Sequence, residues 1–340
     1  MPRQHTKAPR PALGVIGVLL SSGLLAACAA ATAAGPAPDA AARAQAGRQV
    51  YVTNQLDDTL SVINARTNRV TATVPAGTAP EGVAVAPDHS HVYVADSGSG
   101  RVSVLDARTG KIVATVRVGR DPSGLGLSPD GRRLYVADGG SNRVSVLDAR
   151  TNRVTATIPV GTSPVSLAVS RDGTAVYVAN AGSGTLSVID TRTDRAVRAL
   201  PAGRTPAGVS VSPDGQLAYV ANEVTASVSV VGTRTGTIRA RLPVGEGPFD
   251  VALAPDGGSA YVAVLGPGNV SAIDTRTHRI SGTVNVGPPQ TDPFNIAVTP
   301  GAVYVTEQGA GTLTVINPNT LKVTATITVG NSPYGVAAEP

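Results

Sequence analysis

The sequence predicts an all-β fold: a seven-bladed β-propeller built from four-stranded antiparallel blades. Three observations predict it. A tetrapeptide resembling Tyr-Val-Thr-Asn recurs at Tyr51, Tyr93, Tyr135, Tyr177, Tyr219, Tyr261 and Tyr304, with five gaps of 42 residues and one of 43. Each period holds four short apolar or alternating stretches and shows no helical spacing. A unit of this length is too short to hold a core of its own, so the seven copies must share one by radial repetition.

The copy that starts at Tyr135 shows the elements in order. Tyr135-Val136-Ala137-Asp138 is a strand, and Gly-Gly-Ser-Asn turns the chain. Arg143 to Leu147 alternates polar and apolar, as a half-buried strand does. Asp148 to Asn152 supplies a turn in which short polar side chains bond nearby amides. Arg153 to Val160 is the third strand, and Gly161-Thr162-Ser163-Pro164 is a loop. Ser166 to Val169 is the fourth, and Ser170-Arg171-Asp172-Gly173 leads back to the next tyrosine.

The amino terminus has a different character. Arg3, Lys7 and Arg10 precede an apolar run from Ala12 to Ala27, the pattern of a secretory signal and too short for a membrane span. The run ends in Leu25-Ala26-Ala27-Cys28, which resembles the lipobox of bacterial lipoproteins, and Cys28 is the single cysteine of the chain. The expected organisation is a signal peptide over 1–27, a lipidated Cys28 with a flexible tether over 28–47, and a propeller over 48–340. An exported protein follows, anchored by lipid on the outer side of the cytoplasmic membrane, or in the periplasm or outer membrane of a Gram-negative cell. The leader holds three of the 28 basic residues and no acidic one, so the mature chain sets 25 against 23 and carries +2. That balance argues against a polyanionic partner.

The recurring Tyr-Val-Ala-Asn, Ser-Val-Ile-Asp and Ser-Pro-Asp-Gly segments resemble the YVTN family of β-propeller repeats, a relative of the WD40 type. The resemblance covers residues 49–340. Tryptophan is absent, which excludes a true WD40 repeat. The family pattern implies that the Gly-Val-Ala-Val-like strand is innermost. The mature chain starts on a second strand at Val50 and ends on a lone inner strand at Tyr334 to Ala338, so one blade is expected to be completed by both termini. A monomer is expected, and the family implies exported proteins of binding function.

Residues for chemistry are few. Outside the leader the histidines are His89, His91 and His278, and no methionine or cysteine exists beyond Met1 and Cys28. Haem attachment, thiol chemistry and cysteine-rich zinc sites are excluded, and no cofactor or metal is expected. Asp88, Asp130, Asp172, Asp214 and Asp256 recur in one turn, and Asp106, Asp148, Asp190 and Asp274 at one strand end, so both sets read as turn formers. Arg66, Arg108, Arg150, Arg192, Arg234 and Arg276 recur in the outer hairpins and read as solubilising charge.

Departures from the repeat carry more. Proline precedes each inner strand, and the next residue is Glu81, Ser123, Val165, Ala207, Phe249, Phe294 or Tyr334. The two phenylalanines of the chain and its single non-repeat tyrosine thus share one slot in three neighbouring blades, with Glu81 next around the ring. The following slot is small in five blades but Asp250 and Asn295 beside the phenylalanines. The loop before Phe294 is enlarged and contains Asp292. Glu223 and Glu307 replace small residues after two of the Tyr-Val strands.

An aromatic and acidic sector at one channel mouth is therefore predicted to bind a small ligand or a protein partner without transforming it. The alternative for these aromatics is a plug that shuts the mouth. A second function is a propeller enzyme similar to lactonases or lyases, using Glu81, Glu223, Asp250, Asp292 and Glu307, although no histidine accompanies them. Nucleic-acid binding is a third and agrees poorly with the net charge.

Overall fold

The computed structural model describes residues 48–288 and 291–339. The expected signal peptide, Cys28 and tether lie outside them, as do Pro289 and Gln290 of the enlarged loop.

The described residues form seven four-stranded antiparallel sheets and one 3-10 turn at Gly139–Ser141. We number the blades 1 to 7 in ring order, and call strands inner to outer. The inner strands of blades 2 to 7 are Pro80–Val85, Pro122–Leu127, Pro164–Val169, Pro206–Val211, Pro248–Leu253 and Pro293–Val298. Each packs beside the inner strand of the next blade, and Pro333–Ala338 closes the circle between Pro293–Val298 and Pro80–Val85. The remaining three strands of a blade follow outward in chain order.

Closure is as the register predicts. Pro333–Ala338 pairs antiparallel with Gln49–Asn54, placing Val50 opposite Ala338 and Val52 opposite Val336. Glu339 extends the join, because its Oε2 accepts from the Gln49 amide at 2.8 Å. Blade 1 therefore takes its inner strand from the carboxyl end and the other three from residues 49–75.

The core lies between blades. Seven apolar clusters each join one blade to the next; Tyr219, Val228 and Val230 of blade 5, for example, pack on Val251, Val262 and Ile273 of blade 6. The repeat tyrosine buries its ring in such an interface while its hydroxyl reaches the neighbour's outer turn: Tyr219 donates to Thr275 O at 3.4 Å and Tyr261 to Pro318 O at 3.4 Å. Period-2 alternation explains why second and third strands are buried on both faces and outer strands on one.

The strand-end amides of the repeat bond within the blade through their nitrogen, while Oδ1 of Asn180 and Asn222 has no partner among the described residues. The last residue of the second strand meets a serine of the third: Asn54, Asn180 and Asn222 donate from Nδ2 to Ser61, Ser187 and Ser229 at 2.9, 2.9 and 3.0 Å. The turn aspartates behave as read. Asp106, Asp148 and Asp274 each accept from a backbone amide three residues on at 2.7 Å, and these bonds hold their carboxyls below the usual range.

Candidate ligand site at the channel mouth

In all seven blades the residue before the inner-strand proline has a left-handed backbone, with φ from 46° at Ala79 to 68° at Gly247. Its carbonyl accepts from the residue after the second strand, as in Glu223 N to Thr205 O at 3.1 Å and Gln308 N to Asp292 O at 3.0 Å. These bonds put the two loop sets on one face of the ring. The inner strand then slips register directly after the proline: Pro80 faces Asp96 but Val83 faces Val94, and Pro248 faces Val264 but Asp250 faces Ala263. A bulged residue leaves the ladder and its side chain is freed from the alternation. The variable slot read from the sequence is this bulge.

Three aromatics meet there. The Phe249 and Phe294 rings stack with centroids 3.7 Å apart, and Tyr334 meets Phe294 edge-on at 4.6 Å and Phe249 at 6.3 Å. Phe294 is 9% exposed and lies behind the other two. The Tyr334 hydroxyl hydrogen-bonds the Glu81 carboxylate, and Gln55 Nε2 donates to Glu81 Oε1 at 3.1 Å. Burial raises the Glu81 carboxyl to about 6, opposed by bonds from Ser97, Gln55 and Tyr334 and assisted by the nearby charge of Asp121.

Asp250 ties two blades together. Its Oδ1 accepts from Val251 N at 2.9 Å and its Oδ2 from Ile296 N of blade 7 at 3.1 Å. Burial still lifts it to about 6 against those bonds. Hydroxyls from the second strands brace the bulges: Thr306 Oγ1 donates to Tyr334 O at 2.8 Å, and Thr53 Oγ1 to Glu81 O at 2.6 Å.

Phe249, Asp250, Asn295 and Tyr334 line one side of a cavity of about 250 Å³ at the head of the channel and face Ser123, Gly124, Val165, Ser166 and Ala207, while Glu81 and Phe294 stand outside its lining. Blades 6, 7 and 1 supply the aromatic and polar wall, and blades 2 to 5 the small one. The glycines have a packing cause as well. A Cβ on Gly82 would stand 2.0 Å from Ser123 O, and one on Gly335 2.3 Å from Glu81 O, so the next blade's bulge approaches too closely for a side chain.

The other sequence candidates are placed differently. Glu307 ends the strand Val303–Glu307, in the slot held elsewhere by Asn54, Asp96, Asp138, Asn180 and Asn222. It is 2% exposed and accepts from Thr312 and Thr314 of its own blade. Glu307 thus replaces a strand-end amide rather than a small loop residue. Asp292 fills the left-handed slot before Pro293, and Glu223 is exposed on the loop face; neither lines the cavity. Among the described residues, no three His, Cys, Asp or Glu side chains come together as a metal site. Sequence reading missed Ser166 and Ser210 as cavity residues, and also Asp96, which burial lifts to about 7.

Fold and mouth together define a seven-bladed β-propeller with one asymmetric channel entrance. The family model for YNCE-like beta-propellers matches residues 14–138 and 130–215, and the chain belongs to that family. Among curated proteins none matches the chain. Solved structures share the fold. Hydrazine synthase of Kuenenia stuttgartiensis is 23% identical with a TM-score of 0.70, over 75% of this chain and 88% of that one. A protein of unknown function from Desulfotomaculum acetoxidans is 17% identical with a TM-score of 0.71, over 86% and 99%. The dihydro-heme d1 dehydrogenase NirN, in complex with DHE, is 18% identical with a TM-score of 0.63, over 82% and 63%.

Proposed function

We propose that this propeller is an exported, lipid-anchored binding protein that holds a small polar molecule in the channel-mouth cavity without transforming it. The observation that carries the reading is that four departures from the repeat meet at one cavity, Phe249 and Tyr334 as aromatic wall and Asp250 and Asn295 as polar groups. A cavity of about 250 Å³ suits a metabolite-sized ligand and not a macromolecule. Aromatic faces supply contact area, and a few fixed polar groups set orientation.

The test uses a filled cavity. Wild-type protein and Ser166→Trp are dialysed against a small-molecule extract of the producing cells, and the retained compounds are measured by mass spectrometry. The reading requires a compound retained by wild type and lost from the filled variant. Retention by neither, or equally by both, contradicts it.

A second reading, catalysis by mouth carboxylates, draws on the raised pKa of Glu81 and Asp250. It would show as chemical conversion of the retained compound, abolished in Asp250→Asn. The anchor is tested separately: Cys28→Ala should lose its acyl mass and leave the detergent phase, and unchanged partitioning would refute lipidation.

A further inference from the structure

The repeat breaks a second time, in blades 2 and 3. The third strand begins with Thr59, Thr185, Ser227, Asn269 and Thr312 in five blades, but with Arg101 and Arg143 in these two. Opposite that position the outer strand carries Pro75, Pro159, Pro201, Pro243, Asn285 and Thr328, except that Arg117 stands directly across from Arg101. Arginine also enters the loop before the blade 3 inner strand, at Arg120.

Arg117, Arg120 and Arg143 line a single open cleft of about 480 Å³ between blades 2 and 3, on the same face as the channel mouth, with Ser99, Ser141 and Asp121. Two of the guanidinium groups are held in place. Arg120 Nη2 donates to Gly140 O at 2.7 Å, and Arg143 Nε donates to Asp138 Oδ2 at 3.3 Å. Each retains further N–H donors. Among the described residues, no carboxylate pairs with Arg101, Arg117 or Arg120. Like charges directly opposite on neighbouring strands repel, so Arg101 and Arg117 are costly as they stand. Asp96 beside Arg101 offers little relief, because burial keeps its carboxyl at about 7. Asp121 is the one carboxylate on the cleft wall.

We propose that this cleft binds a phosphate-type oxyanion, either the free ion or a terminal phosphate ester, through Arg117, Arg120 and Arg143. Planar guanidinium forks match the oxygens of a tetrahedral anion in pairs, and a bound dianion removes the repulsion across the strands.

The test is calorimetric titration of the full chain, in chloride at fixed ionic strength, with inorganic phosphate and separately with methyl phosphate. One saturable site is expected. Arg117→Gln and Arg120→Gln should each weaken it about tenfold or more, as loss of a charge-assisted bond does. Both residues are exposed, so the fold survives, and unchanged melting temperatures verify that. Arg66→Gln, in an outer hairpin, should leave the affinity alone. Tighter binding of inorganic phosphate identifies the free ion; binding of methyl phosphate equally or more tightly identifies the ester. Absence of saturable binding by both probes, or an affinity indifferent to both cleft variants, overturns the proposal.

Discussion

Asp96 gives the clearest single-residue forecast, because the repeat supplies its own control. Its side chain accepts from Ser103 Oγ at 2.7 Å in the slot where three other blades use asparagine. The folded-state pKa of about 7 lies above the ordinary value of 3.8, so the folded protein binds this proton more tightly than the unfolded chain. The contribution of Asp96 to stability is therefore most favourable below about pH 4 and falls as pH rises to about 7. Asp96→Asn should raise stability by on the order of 2 kcal/mol at pH 8, and by much less at pH 4. Denaturant unfolding at the two pH values checks this, and an equal effect at both would contradict the buried charge. Phe294 separates support from contact in the mouth. It is nearly buried behind Phe249 and Tyr334, so Phe294→Ala should cost about 3 kcal/mol or more of stability. Phe249→Ala, at the cavity wall, should cost less stability and more ligand retention. The aromatic convergence was legible because the chain's two phenylalanines and one tyrosine share a slot. The burial that lifts Asp96 was not, since in sequence it is one more aspartate after a Tyr-Val strand.

At the scale of elements, the joined blade is the point of greatest exposure. Removing residues 333–340 deletes the inner strand of blade 1 and leaves Gln49–Asn54 with an unpaired edge. It also takes away Tyr334, and with it the hydrogen bond to Glu81. The truncated protein should melt several degrees lower and self-associate; light scattering and thermal melting together check both. A truncation that melts and stays dispersed like the parent would contradict closure by both ends. The closing strand could be read from the sequence because register counts strands. The bulge after each inner-strand proline could not. Period-2 alternation says which residues face the core but not where a ladder skips one, and the skip is what frees Phe249, Phe294 and Tyr334 from the sheet. Glu307 differs for another reason: it ends its strand in the slot of Asn54 and Asp96, one position before the loop slot that Glu223 holds.

For the whole molecule, seven interfaces of similar composition build the ring, and stability is shared among neighbours. A symmetric scaffold gains specificity where its copies differ. The differences gather in two sectors of one face, an aromatic and acidic mouth over blades 6, 7 and 1 and an arginine cleft between blades 2 and 3. The mouth sector is proposed to hold a ligand because it departs from the repeat. The most direct measurement restores the repeat there, replacing Phe249, Asp250 and Asn295 by the alanine and glycines that blade 5 carries at Ala207 and Gly208, as Phe249→Ala, Asp250→Gly and Asn295→Gly. The variant is dialysed beside wild type against the same cellular extract, and bound small molecules are quantified. A folded ring is expected that retains nothing wild type retains through its mouth. A restored ring that folds and still holds the same compound with undiminished affinity would contradict this proposal.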